Sequence, residues 1–122
     1  MMEFKNKPLA TRLGFALAGL RHALQSERSL RTQLAVLGVV ILALCWLRPA
    51  PVWWALVALI SSAVVAAELF NTALERLADH LHPQLHTQIR AAKDCAAGAV
   101  LVLAVGALLV ALALVVNLWA AR

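Results

Sequence analysis

The stretch "VWWALVALISSAVVAAELFNTALERLADHL" (residues 52–81) changes character at its midpoint. Up to Ala67 it reads as a membrane span. From Glu68 onward it carries Glu68, Asn71, Glu75 and Asp79, three carboxylates and an amide where a hydrophobic segment should be ending. Taken as a helix at about 100° per residue, Glu68, Asn71, Thr72, Glu75 and Asp79 lie within roughly 60° of one line. Leu69, Phe70, Ala73, Leu74 and Leu77 fill the rest of the circumference. The spacing predicts one helix that continues past the bilayer with a narrow acidic stripe along it.

The surrounding composition fits a membrane protein. Hydrophobic residues make up 63% of the 122 and charged residues 14%, against roughly 45–50% and 25% in soluble domains. A chain of this length is one domain. Its apolar residues are grouped as Leu34–Leu47, Val52–Ala67 and Cys95–Val116. About 20 residues are needed to cross a hydrocarbon core. The first two runs reach that length by extending into their flanks, which predicts spans over about 30–47, 52–70 and 95–118. The third, rich in Ala and Gly, is suited to close helix–helix contact, within one chain or between subunits. The expected fold class is an all-α membrane protein with three transmembrane helices and an N-terminal amphipathic surface helix.

The net charge of +5 is distributed by topology. Lys5, Lys7, Arg12, Arg21, Arg28 and Arg31 precede the first span, and Arg76, Arg90 and Lys93 lie between the second and third. Only Arg48 and Arg122 fall on the opposite side. The positive-inside rule places the N-terminus and residues 68–94 in the cytoplasm and the C-terminus outside. The basic excess is thus a matter of orientation and anionic lipid, and no nucleic-acid partner is expected. "MMEFKNKPLATR" (residues 1–12) has no apolar core and cleavage site behind it, so no cleavable signal peptide is expected.

Residues of about 7–28 carry Leu9, Leu13, Leu17, Leu20 and Leu24 at helical spacing, with Arg12, Arg21, His22 and Arg28 elsewhere. This predicts a basic amphipathic helix in the membrane interface. "GFALAGLR" (14–21) is not a phosphate loop, because Leu20-Arg21 stands where Lys-Ser/Thr is required. "RPAPVWW" (48–54) predicts a tight external turn with Trp46, Trp53 and Trp54 in the interfacial belt; Trp119 plays the same part at the other end. "HLHPQLHTQIRAAKD" (80–94) reads as a cytoplasmic loop. Its His80, His82 and His86 match no usual zinc spacing. Cys45 and Cys95 sit near opposite ends of different spans and are expected to be unpaired packing residues.

The acidic stripe has two readings. One is the wet face of a helix leaving the membrane. Against it, such a face would mix in cations, and only Arg76 is present, off the stripe. Like charges at i,i+4 repel, so Glu75 and Asp79 need a counter-charge. Glu68 lies closest to the hydrocarbon, where an ionisable group is a functional candidate. Glu27 before the first span and Lys93-Asp94 before the third bring further charges to the same depth. Carboxylates with water and phosphate are the ligand set of magnesium. A lysine binds phosphate, and an interfacial carboxylate accepts a proton from a lipid hydroxyl. The pattern points to phosphoryl transfer onto a membrane alcohol.

"ELFNTALERLAD" (68–79), "AAKDCAAGAV" (91–100) and "ERSLRTQL" (27–34) resemble the signature of the small prokaryotic integral-membrane diacylglycerol kinases and the related undecaprenol kinases. The resemblance covers nearly the whole chain. It implies a homotrimer with composite active sites at the cytoplasmic face of the bacterial inner membrane, and magnesium as cofactor with ATP as co-substrate. By motif, it implies Glu68 as the catalytic base and Glu27 and Glu75 as magnesium ligands. Phe15, Glu27, Asn71, Glu75, Asp79, His86, Lys93 and Asp94 match its nucleotide site, and Arg21, Arg31, Trp46 and Glu68 match positions near the lipid. Ala78, Gln33 and Arg90 depart from the pattern, with Gln33 where many members have an acid or His.

"NTALE" and "AAGAV" lean toward the undecaprenol kinases, and Gly19-Leu20-Arg21 toward the diacylglycerol kinases. The expectation is diacylglycerol, phosphorylated to phosphatidic acid, with undecaprenol as the alternative lipid. The rival of a different class is a non-catalytic membrane subunit whose acids hold a cation.

Overall fold

The structure is a computed structural model that describes residues 4–121. Arg122, counted above among the outer charges, and residues 1–3 lie outside the described residues. After a short 3₁₀ turn at Phe4–Asn6 come four helices: α1 (Leu9–Ser26), α2 (Arg28–Leu47), α3 (Pro51–Leu81) and α4 (Thr87–Ala120). The last three are long and apolar enough to cross a membrane.

Each boundary has a local cause. Glu27 is extended (φ −106°, ψ 109°) and forms the single-residue break between α1 and α2. Arg31, one turn into α2, donates to the carbonyls of Leu24 and Gln25 at 3.0 and 2.9 Å. It thereby satisfies two of the acceptors that the end of α1 leaves open and puts a cation where the helix dipole favours one. α2 stops at Arg48, whose φ of 51° is left-handed. Pro51 then opens α3 at a first-turn position, where its missing N–H costs nothing. The turn is therefore three residues, 48–50, and Trp53 and Trp54 already belong to α3.

α3 runs unbroken through residues 68–81. At 1.5 Å per residue its 31 residues span about 46 Å. This exceeds a hydrocarbon core of about 30 Å by several turns. The expected loop over 80–94 is shorter in the structure, because α3 ends at Leu81 and α4 begins at Thr87. Pro83 supplies the break. His86 caps α4, its Nδ1 accepting from the Gln88 N–H at 3.0 Å, and Arg90 and Asp94 pair at i,i+4 across the first turns. The polar residues of Thr87–Asp94 form the first turns of α4, ahead of its apolar part.

The helices pack antiparallel in sequence. Gln33 near the start of α2 meets Glu68 well along α3, and Leu44 near its end packs on Val57 near the start of α3. α4 packs most extensively on α3. Gly106 faces Ile60 there, and a Cβ on Gly106 would lie 3.4 Å from Ile60 Cδ1. A small core of Leu44, Val57 and Leu114, flanked by Val40, Trp53, Val110 and Leu118, closes the end of the bundle remote from the acids. Trp53 packs partly buried against this core. Most other large apolar side chains point outward, Leu42, Leu59 and Leu108 at about 70% exposure. Soluble monomers do not carry apolar surface on this scale.

Candidate functional site

Glu68 is the most deeply set ionisable side chain described, at 8% exposure. The start of α2 supplies both of its partners. Gln33 Nε2 donates to Oε1 at 2.8 Å and Ser29 Oγ donates to Oε2 at 3.3 Å. Ser29 and Gln33 are four apart, so one face of α2 presents both donors to one carboxylate. Among the described residues no cation pairs with Glu68. Each of its oxygens meets only a neutral donor, which orients the carboxylate without neutralising it.

Two acceptors beside Glu68 are buried without a partner, Gln33 Oε1 and Asn71 Oδ1. Because Gln33 points its amide N–H at Glu68, its carbonyl must face away. An unsatisfied buried acceptor costs about 1–3 kcal/mol. A ligand that brings O–H groups or a hydrated cation would relieve this. Gln33 also borders an apolar cavity of about 390 Å³ between α2, α3 and α4, with Thr32 and Ser61 as its other polar members and Val36, Val64 and Leu108 among its aliphatic ones. A polar head beside Glu68 and an apolar chain in this cavity describe an amphiphile.

Further along α3, a groove of about 290 Å³ opens between its last turns, the loop and the start of α4. Glu75, Asp79, His86, Lys93 and Asp94 line it, together with Arg90. Lys93 donates to Asp79 and Arg90 pairs with Asp94 at 3.3 Å. His86 spends Nδ1 on the helix cap and meets the ring of His82 edge-on, with centroids 5.5 Å apart. Three carboxylates stand against two cations here, so the groove suits a polyanion only together with a bound cation that offsets the acids. Five of the residues expected at a nucleotide site are thus brought together.

Glu27 lies apart from that groove. Its Oε1 accepts from Arg76 Nη2 at 3.2 Å, and the same guanidinium reaches Ser26 Oγ and His22 Nε2. Glu75 precedes Arg76 on α3 and lines the groove, about 100° around the helix from the side chain that Glu27 meets. No group of three or more His, Cys, Asp or Glu side chains is gathered for a metal among the described residues. Two carboxylates with Glu75 free of any ion pair among the described residues match a hard, oxygen-preferring ion that takes its remaining ligands from water and phosphate. The donor set fits magnesium in kind.

The other expected residues are more scattered. Phe15 and Arg21 lie on α1 outside the groove. Arg31 holds the α1 carbonyls already described. Trp46, 84% exposed, sits at the far end of α2, about 20 Å along the helix from Gln33 at 1.5 Å per residue. Sequence reading did not assign Ser29, Ser26, His22 or Arg76 to the site, and treated Gln33 only as a departure. The signal for Ser29 and Gln33 was an i,i+4 polar pair at the mouth of an apolar span. For Arg76 it was the one cation beside the stripe.

Residues 14–115 match the family model described as prokaryotic diacylglycerol kinase. The chain is also 39% identical over 97 residues to a diacylglycerol kinase of Synechocystis sp. (strain ATCC 27184 / PCC 6803 / Kazusa). That match covers 79% of this chain and 55% of the relative, so the chain spans about half the length of the curated relative it matches. No solved structure matches.

Proposed function

This chain belongs to the prokaryotic diacylglycerol kinase family, and on that premise we propose that it transfers the γ-phosphoryl group of ATP to the free hydroxyl of diacylglycerol, giving phosphatidic acid and ADP. The observation that carries the reading is Glu68: a buried carboxylate held by two neutral donors, one of which, Gln33, borders an apolar cavity. In this reading the lipid hydroxyl donates to Glu68, its oxygen bonds to the γ-phosphorus, and the bond from that phosphorus to the β–γ bridging oxygen breaks. Glu68 takes the proton. The one hydroxyl proton goes to Glu68, so the unpartnered carbonyls of Asn71 and Gln33 take their donors from water or from water bound to a cation. Lys93 and Arg90 face the phosphates from the groove, and Asp79, Asp94 and His86 shape it around the nucleotide. Glu27 and Glu75 would hold magnesium, which when bound neutralises charge on the phosphates.

The same reading places the enzyme in the bacterial inner membrane as a homotrimer, with the N-terminus and the groove on the cytoplasmic side and the C-terminus outside. The charge distribution supports this orientation, and the outward apolar faces support burial in lipid and against other copies.

The test is phosphorylation in bilayers containing either diacylglycerol or undecaprenol at matched mole fraction, with Mg-ATP. Faster formation of phosphatidic acid is expected. A higher initial rate on undecaprenol would reassign the lipid. Metal binding without turnover on either lipid, and without dependence on Lys93, would leave a cation-binding subunit instead.

A further inference from the structure

Arg76 is the cation that the acidic stripe leaves unexplained. It projects from α3 toward the last turn of α1, and its guanidinium engages three acceptors there: Glu27 Oε1, Ser26 Oγ and His22 Nε2. We propose that Arg76 is the positioning residue of Glu27. It fastens the break between α1 and α2 to α3, and so holds the Glu27 carboxylate at the turn of α3 that carries Glu75. The proposal rests on the reading of Glu27 and Glu75 as the magnesium-holding pair.

Four observations support it. Glu27 is the non-helical residue between two helices, and its side chain caps neither of them. Arg76 is its ion-pair partner among the described residues. α1 itself has little to hold it, with Ala23 its only buried residue among those described. Arg31 ties the end of α1 to α2, but its side chain bonds only to the Leu24 and Gln25 carbonyls and not to the Glu27 carboxylate. The fourth observation is the fork itself. Ser26 Oγ donates to the His22 carbonyl at 2.9 Å, which leaves its lone pairs to the guanidinium. A planar group with five N–H donors serves three acceptors at once, and an ammonium is a single point of charge.

The experiment uses the full chain in detergent without lipid alcohol. The probe is Mn²⁺ with a non-hydrolysable ATP analogue, and bound Mn²⁺ is counted by electron paramagnetic resonance. Arg76→Ala is expected to weaken Mn²⁺ binding by about 5- to 30-fold, the loss of charge-assisted hydrogen bonds at a partly buried carboxylate. Arg76→Lys, which keeps the charge but not the fork, should fall between that variant and the parent. Ser26→Ala removes one acceptor without touching Glu27 and should weaken binding about two- to fivefold. Parent-like Mn²⁺ affinity in Arg76→Ala, beside its loss in Glu27→Gln, would overturn the proposal and leave the metal site standing. Parent-like affinity in both variants would overturn the reading of Glu27 and the proposal with it. If Arg76→Ala loses helicity by circular dichroism, parent-like affinity in both Arg76→Lys and Ser26→Ala overturns the proposal, and graded loss in both supports it.

Discussion

At the scale of single residues, the carboxylate of Glu68 and its two donors are unequal in a way that kinetics can read. Gln33 makes the shorter bond and is half-buried, while Ser29 makes the longer one from an exposed position. Gln33→Leu keeps the volume but removes the donor to Oε1 and the carbonyl at the cavity head. A hydrogen bond to a charged group contributes about 1.5–3 kcal/mol, so kcat should fall roughly 10- to 100-fold. The KM for ATP should hold, since the groove that binds it is formed by other residues. Steady-state kinetics in mixed micelles separate the two constants. Ser29→Ala should cost only about three- to fivefold by the same measure, because water reaches that position. If Gln33→Leu raised the KM for ATP and left kcat alone, Gln33 would not be acting through Glu68.

At the scale of elements, two helix positions are set by backbone and packing instead of chemistry. Arg48 ends α2 in the left-handed region, where a side chain costs about 1–2 kcal/mol. Arg48→Gly should therefore raise the thermal midpoint of the solubilised protein by a few degrees, as followed by circular dichroism. Gly106 lets α4 approach α3 at Ile60. Alanine fits there with a slight shift of the flexible Ile60 terminus, so Gly106→Ala should leave the midpoint within a few degrees. Gly106→Leu overpacks the contact and should cost about 1–3 kcal/mol. Much of this layer was legible in advance. The 52–81 stretch gave a helix continuing beyond the bilayer, because its acids fall on one stripe while its apolar residues occupy the remaining face. The start of α4 was not legible. Histidine, glutamine and threonine before Cys95 look like a loop by composition, and the capping bond of His86 and the Arg90–Asp94 pair that make them helical are geometric facts. The partners of Glu68 were hidden for a similar reason. Ser29 and Gln33 are unremarkable polar residues until the antiparallel register of α2 and α3 puts them against one carboxylate. Arg76 was read as lying off the stripe, and it is, but off the stripe is where α1 lies.

At the scale of the whole molecule, one chain separates its chemical parts along α3. Glu68 and Asp79 are 11 positions apart, about 16 Å along the axis at 1.5 Å per residue. Reaction requires the hydroxyl oxygen and the γ-phosphorus within about 3–3.5 Å, so the nucleotide must bridge from the groove to the base. The outward faces of α2, α3 and α4 leave apolar surface for neighbours as well as for lipid. In the proposed trimer, a groove can serve the base of an adjacent subunit, and subunit mixing decides whether it does. Glu68→Gln lacks the base but keeps the groove; Lys93→Ala keeps the base and weakens the groove. Each alone should be nearly inactive. Mixed in equal amounts, unfolded and refolded together into bilayers, they should regain activity if the base and the groove of one site come from different chains. Random assembly then leaves about one site in four with both parts intact, so up to about a quarter of the parent rate is expected. If both parts of a site come from the same chain, every chain carries one defect and the mixture stays as inactive as its components. Phosphatidic acid formation measured before and after joint refolding distinguishes the two arrangements.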